Sequence, residues 1–369
     1  MKRQNRLSRF QYTAIVSSSY FALLFWEFPR IAVAKARFDA LWSVFGVIVV
    51  GTIASLIQGL LVERFPNLSG VDIAIKLWGK WLGKLVSIGF LPVHIGLVAF
   101  GVWWNADALK DFFPQTPHTG LYVFLLIAAC RGAWLGIVPL GRAASIIYPI
   151  TILGTFITFI TILFQTDKYQ MPHTVTSWTH TWDGVYALLP IFMGLNIGIM
   201  LGPYRYSTTT SLWYHLVSPI LNGIVLMVAF CAVVLNLGWL PAKLLTNPVL
   251  VTVQMMRAHG FLVERLGILI IIIATAFVLL FAANQIWFVS VLAARVCEMD
   301  PERHRVFVIP ATIAVITVMY SFHSIYHKEH LYERFMVDAT WIALIALPLA
   351  MLVTAWIRGI RSSPSYEDE

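Results

Sequence analysis

The sequence is divided into about ten apolar blocks, nearly free of charge, separated by short connectors that carry most of the charges, prolines and glycines. A helix rises about 1.5 Å per residue, so about 20 apolar residues are enough to cross about 30 Å of hydrocarbon. The blocks fall at 12–34, 39–62, 83–106, 119–139, 142–164, 184–203, 212–238, 266–293, 306–322 and 336–357. Charged residues make up 12% of the 369 positions and hydrophobic ones 59%, with a mean hydropathy of +0.77. That leaves too little polar surface to coat a water-soluble chain of this size. The expected fold is an all-α polytopic membrane protein with ten transmembrane helices. It forms one transmembrane domain over residues 1–361, followed by a polar tail at 362–369.

No connector is long enough to hold a separate soluble domain. The basic stretch Met1 to Arg9 is followed by no cleavage site, so the first block reads as a retained span. Lys and Arg are scattered through the connectors, not gathered on one face, so the net charge of +8 is no nucleic-acid signal. They are commoner on the side that holds the termini, which places both termini in the cytoplasm. Cys130, Cys231 and Cys297 are widely separated and form no CxxC pair, so they read as small hydrophobes of packed helices. His323, His327 and His330 would share a helix face, but no cysteine accompanies them, and neither a metal nor a cofactor is expected. No nucleophile, base and orienting group come together, and no glycine-rich phosphate loop opens a helix after a strand. The chain does not read as an enzyme. Tryptophans near span ends, Trp103, Trp104, Trp178, Trp182, Trp239 and Trp356 among them, fit interfacial anchoring.

Five spans precede the polar connector 165–183, and five follow it. Two halves inserted in opposite senses, at about 10–165 and 184–358, are what an inverted-repeat transporter requires. In such folds the first helix of each half breaks near the midplane and the ligand sits at the breaks. Span one contains Ser17, Ser18 and Ser19, whose hydroxyls compete for backbone hydrogen bonds. Span six reads Pro190-Ile191-Phe192-Met193-Gly194-Leu195-Asn196-Ile197-Gly198 and ends in Gly202-Pro203. Gly194 and Gly198 also have the spacing of a small-residue packing face, so packing and unwinding are both open. On the second reading, Ser18, Ser19, Gly194, Leu195 and Asn196 line a midplane pocket, where freed backbone groups hold the charged ends of a small ligand.

A few ionisable or polar groups lie inside apolar runs, where they are costly unless paired or functional. Glu27 stands near the outer end of span one, with Arg30 three residues on and on the same face. The pair could be structural, or a gate or coupling group. Arg131 falls in mid-span four with no acid in that span; it needs a partner on another helix or serves a gating role. Asn105, Asn284 and Gln285 suit interhelical hydrogen bonds. His94, beside Pro92, reads as a core histidine.

Several local patterns resemble one known family. They are Leu7-Ser8-Arg9-Phe10-Gln11 with a first span ending Phe28-Pro29-Arg30, Phe38-Asp39-Ala40-Leu41-Trp42-Ser43, and Phe65-Pro66-Asn67-Leu68-Ser69 followed by Leu77-Trp78-Gly79-Lys80-Trp81-Leu82-Gly83-Lys84. Gln115-Thr116-Pro117, the junction Gly136 to Gly141-Arg142, and Phe261-Leu262-Val263-Glu264-Arg265-Leu266 complete the set. In this order the patterns resemble the B subunit of bacterial spore germinant receptors, within the amino acid–polyamine–organocation transporter superfamily. The resemblance implies a LeuT-like five-plus-five fold with helices one and six broken. It also implies residence in the inner spore membrane, partnership with an A subunit and a lipoprotein C subunit, and sensing of a small germinant such as an amino acid. Spans three and eight flank the ligand in that superfamily, which brings Asn284 into the expected pocket. A proton- or sodium-coupled amino acid transporter is the alternative, with Glu27 as its coupling group.

Overall fold

Within hydrocarbon a chain must satisfy its own backbone groups, so each apolar block closes its hydrogen bonds as a helix. A computed structural model describes residues 6–165, 175–205, 212–255, 266–323 and 329–361. His173, His327, residues 256–265 and the tail 362–369 lie outside these. Among the described residues nine helical stretches are long and apolar enough to cross a membrane, the first of them running through Phe28–Arg64. That stretch joins the second half of a broken span one to span two, which makes ten crossings.

Span one consists of α1 (Arg9–Ser18) and α2 (Phe28–Ala36), separated by turns at residues 19–27. Span two is α3 (Ala40–Arg64), and α4 (Gly70–Trp78) lies in the connector after it. Spans three to five are α5 (Lys80–Phe112), α6 (His118–Leu135) and α7 (Ile137–Gln165). Span six begins as α8 (Trp178–Leu188), tightens to a 3₁₀ stretch at Leu189–Asn196 and regains one α turn in α9 (Ile197–Met200). Span seven is α10 (Trp213–Leu237), followed by the connector helices α11 (Trp239–Leu244) and α12 (Pro248–Met255). Spans eight and nine are α13 (Leu266–Val296) and α14 (Arg305–His323). Span ten runs through α15 (Glu329–Thr340), a π-helical segment (Trp341–Ala346) and α16 (Leu347–Ile357). Departures from the sequence reading are local: span three runs on to Phe112 instead of 106, and span ten starts at Glu329 instead of 336. Span six starts at Trp178 instead of 184. Spans four and five meet at Gly136, whose φ of 96° permits the reversal. Arg131 therefore stands four residues from the end of α6 and is exposed, not buried at mid-span.

Large side chains that a soluble protein would bury line the outside: Phe124, Ile127, Ile150, Leu153 and Ile157 are each more than half exposed. Lipid, not protein, covers such a surface. Inside, α13 crosses the centre of the bundle with Phe281, Asn284, Gln285, Ile286 and Trp287 almost wholly buried.

Charged groups gather at the two faces. On the face that holds both ends of the chain, the Leu7 amide donates to the Tyr204 carbonyl at 2.7 Å, and Arg205 pairs with Glu63 at 2.9 Å. Arg295 pairs with Asp72 at 3.1 Å, while Arg64 and Arg358 cap the carbonyls of Ala355 and Leu77. On the far face the buried Asp39 carboxylate accepts from the Thr176 amide (2.6 Å), the Thr176 hydroxyl (2.8 Å) and the Ser177 amide (2.9 Å). This ties the turn between spans one and two to the start of span six.

Glu298, in the connector between spans eight and nine, receives Lys80 and Lys84, each at 2.6 Å. Hydrogen bonds from Lys80 and then Lys84, with their charges, hold its carboxyl down at about 2 against an ordinary 4.5. An acid with a depressed native pKa stabilises the fold above its unfolded value and ceases to do so as pH falls toward the native one. Melting temperatures of the wild type and Glu298→Gln are expected to differ above pH 4.5 and to converge as pH drops toward 2. The gap should narrow in high salt, since the site is exposed.

Candidate functional site

The breaks in spans one and six face each other at the centre of the protein. The serines loosen the end of α1 as their chemistry dictates. The Ser18 and Ser19 hydroxyls both donate back to the Ile15 carbonyl, at 3.1 and 2.6 Å. Helix geometry then gives way to turns, with Leu24 at φ 58°. Opposite, Pro190 enters the 3₁₀ stretch of span six and Gly194 provides the closest approach. A Cβ placed there would stand 1.7 Å from the Ser19 carbonyl oxygen. Gly194 is therefore fixed by contact between two backbones.

Spans two, three, seven and eight supply the polar groups that hold this crossing. From α13, the Asn284 amide donates to the Ser18 hydroxyl at 3.0 Å, and the Gln285 amide donates to the Ser19 carbonyl at 2.8 Å. Gln285 Oε1 lies 2.8 Å from His94 Nδ1 of α5, and the His94 ring packs on Phe288 with centroids 4.1 Å apart. From α3, Gln58 donates to Asn196 Oδ1 at 2.8 Å and to the Leu344 carbonyl of the π segment at 3.3 Å. From α10, Ser218 receives the Ser17 hydroxyl at 2.7 Å and lies 2.8 Å from the Tyr20 hydroxyl, whose ring packs on Phe192 of span six. Asn284 Oδ1 and His94 Nε2 are buried with no hydrogen-bond partner among the described residues.

A cavity of about 820 Å³ lies on the far-face side of these breaks. Leu23 and Leu24 of the span-one break, Pro190 of span six, and Phe100 and Trp104 of α5 give it an apolar wall. Arg30, Lys35, Arg37, His180, Asp183 and Tyr186 add a polar, mainly basic lining. Tyr186 bonds to Asp338, linking spans six and ten. The far side is thus open toward the breaks, while ion pairs draw the other face together.

The structure brings Ser18, Ser19, Gly194 and Asn284 into one cluster, with Leu195 and Asn196 on the adjoining turn of span six. All six are buried. None lines the large cavity. Leu195 borders a void of about 10 Å³ beside Tyr12 and His215, and Asn196 one of about 30 Å³ beside Phe90 and Phe288. Glu27 is 2% exposed and forms an ion pair with Arg30 at the cavity. Arg131 is not brought to the cluster. Sequence reasoning left Gln58, Tyr20 and Ser218 unremarked and treated His94 and Gln285 separately. The only available signal was polarity within apolar blocks, which does not say which spans pair.

Ten crossings with a turn-rich break in the first and a 3₁₀ break in the sixth define a LeuT-fold membrane protein. Solved structures that share the fold include two transporters. MhsT in complex with L-phenylalanine aligns with a TM-score of 0.68 at 15% identity, over 96% of this chain and 89% of that one. Mhp1, a nucleobase-cation-symport-1 family transporter in a closed conformation with bromovinylhydantoin bound, aligns at 0.70 and 11% identity, over 95% and 78%. The chain belongs to the spore germination protein family, whose pattern matches residues 6–327. Spore germination protein YndE of Bacillus subtilis (strain 168) is 28% identical over 152 residues, which is 40% of this chain and only 42% of that relative. Family and fold are those of membrane permeases.

Gly194→Ala forces the two breaks apart and is expected to cost about 3 kcal/mol or more, at the upper end of overpacking effects. Its thermal unfolding in detergent, set beside Gly89→Ala, where a Cβ meets open space, checks this. Asp39→Ala removes the acceptor for three donors and is expected to cost about 3 kcal/mol, measured in the same way.

Proposed function

We propose that this chain is the nutrient-sensing integral membrane subunit of a spore germinant receptor. A small germinant, an amino acid in the first instance, enters the far-face cavity and binds against the breaks of spans one and six. The observation that supports this most is that the cavity ends on Leu23, Leu24 and Pro190, which belong to those two breaks. Ser18, Ser19, Gly194, Leu195, Asn196 and Asn284 do not line the cavity in this conformer; they lie in the breaks or beside them and become ligand contacts as the breaks part, and Asn284 Oδ1, without a partner among the described residues, is an acceptor for a donor on the ligand. The Glu27–Arg30 pair, beside the cavity, is the gating or coupling group. Membership of the germination family supports an A subunit and a lipoprotein C subunit as partners, in the inner spore membrane with both termini in the cytoplasm. Signalling is a population shift between conformers with unequal affinity for the germinant.

The test is a thermal-shift screen of the purified chain in detergent against amino acids, sugars and nucleosides. A ligand that binds only the native state raises apparent stability by about 2.7 kcal/mol at a hundredfold excess over its Kd. Asn284→Ala or Asn196→Ala is expected to weaken a hit at least tenfold, about 1.4 kcal/mol. A folded chain that no compound shifts would sink the reading. Saturable uptake of the hit into vesicles containing this chain alone would replace it with a proton- or sodium-coupled amino acid transporter.

A further inference from the structure

The end of α1 directs the negative pole of a half-helix into the protein. In broken transmembrane helices such carbonyl ends hold coupling cations. Here the carbonyls of Ile15, Val16, Ser17 and Ser19 already have donors. Ile15 O receives the Ser18 and Ser19 hydroxyls, and Val16 O the Ser19 amide at 3.1 Å. Ser17 O receives Asn222 Nδ2 of α10 at 3.4 Å, and Ser19 O receives Gln285 Nε2 of α13 at 2.8 Å.

Gln285 is the decisive one, because its orientation is determined from behind. With its nitrogen committed to the Ser19 carbonyl, Oε1 must face His94, so His94 Nδ1 carries the proton and donates. His94 is fully buried against Phe288, and the chain His94–Gln285–Ser19 joins spans three, eight and one in a single direction of donation. A sodium ion approaching the Ser19 carbonyl would have to displace an amide that cannot rotate without also losing His94.

We infer that the Gln285 amide, oriented by His94, occupies the place at the end of the first half-helix that a coupling cation would take. The break in span one is therefore held without sodium. His94 is a positioning residue, acting through Gln285. The inference shares the location of the site with the proposed function but not its ligand.

The experiment compares melting temperatures of the purified full chain in sodium chloride and in choline chloride at equal ionic strength, with no other ligand. Wild-type curves are expected to coincide. Sodium held at ten times its Kd would raise the melting temperature by about 2 °C or more, and a rise of that size overturns the inference. Gln285→Met, close in volume, and His94→Leu are each expected to lower the melting temperature. The double variant should fall no further than the worse single one, because the two side chains act as a unit. Additive losses would overturn the positioning role. His94→Asn retains a donor near Nδ1 and is expected to restore most of the loss seen in His94→Leu; failure to do so also overturns that role. A sodium shift leaves the ligand screen standing, and an empty ligand screen leaves the sodium comparison standing, so the two readings fail separately.

Discussion

Two unwound backbones press against each other inside a bundle that has no water to spare, and most of the protein's polar chemistry answers to that contact. An unsatisfied peptide group in hydrocarbon costs several kcal/mol, so irregular backbone survives there only where protein or a cavity surrounds it. The protein surrounds it with side chains from spans two, seven and eight, each reaching inward to a carbonyl, hydroxyl or amide of a break, while His94 of span three holds Gln285 of span eight from behind. The absence of a side chain at Gly194 lets the two breaks meet. In this conformer Ser18 and Ser19 serve as local caps, because their hydroxyls turn back on Ile15, while the Ser17 hydroxyl goes to Ser218.

Charge is distributed by the same economy. The strong pairs sit at the faces, where water and headgroups moderate their desolvation, and they are unequal in effect. Glu63–Arg205 and Asp72–Arg295 draw the chain ends' face together, while Asp39 anchors only one corner of the far face. The result is a structure with one side closed and the other hollowed to the level of the breaks. A ligand-biased equilibrium needs such asymmetry, since a ligand shifts populations only if it meets one conformer differently from another.

The spans were legible because apolar length is read against a fixed bilayer thickness, and the broken character of spans one and six was legible in Ser17–Ser19 and in the Pro190 to Gly198 run. The junction of spans four and five was misplaced because hydrophobicity continues through it. Only the positive φ of Gly136 marks the reversal, and a glycine does not announce its φ. The cluster at the breaks was half legible. Ser18, Ser19, Gly194 and Asn196 follow from local sequence, but the pairings of Gln58 with Asn196 and of His94 with Gln285 join residues 138 and 191 positions apart. No periodicity encodes which of ten helices lie side by side.

The π segment of span ten gives one of these pairings a mechanical meaning. A π turn is an α-helix with one residue too many, and it leaves a carbonyl out of line. In this protein the Leu344 carbonyl lies in that segment and is held by Gln58, the same amide that grips Asn196. Helices cannot absorb a fraction of a residue, so moving the surplus along span ten is a discrete step of register. Gln58 would feel that step as the loss of one of its two acceptors. The last helix of the bundle is in this way geared to the broken helix at its centre, with the Gln58 amide as one tooth.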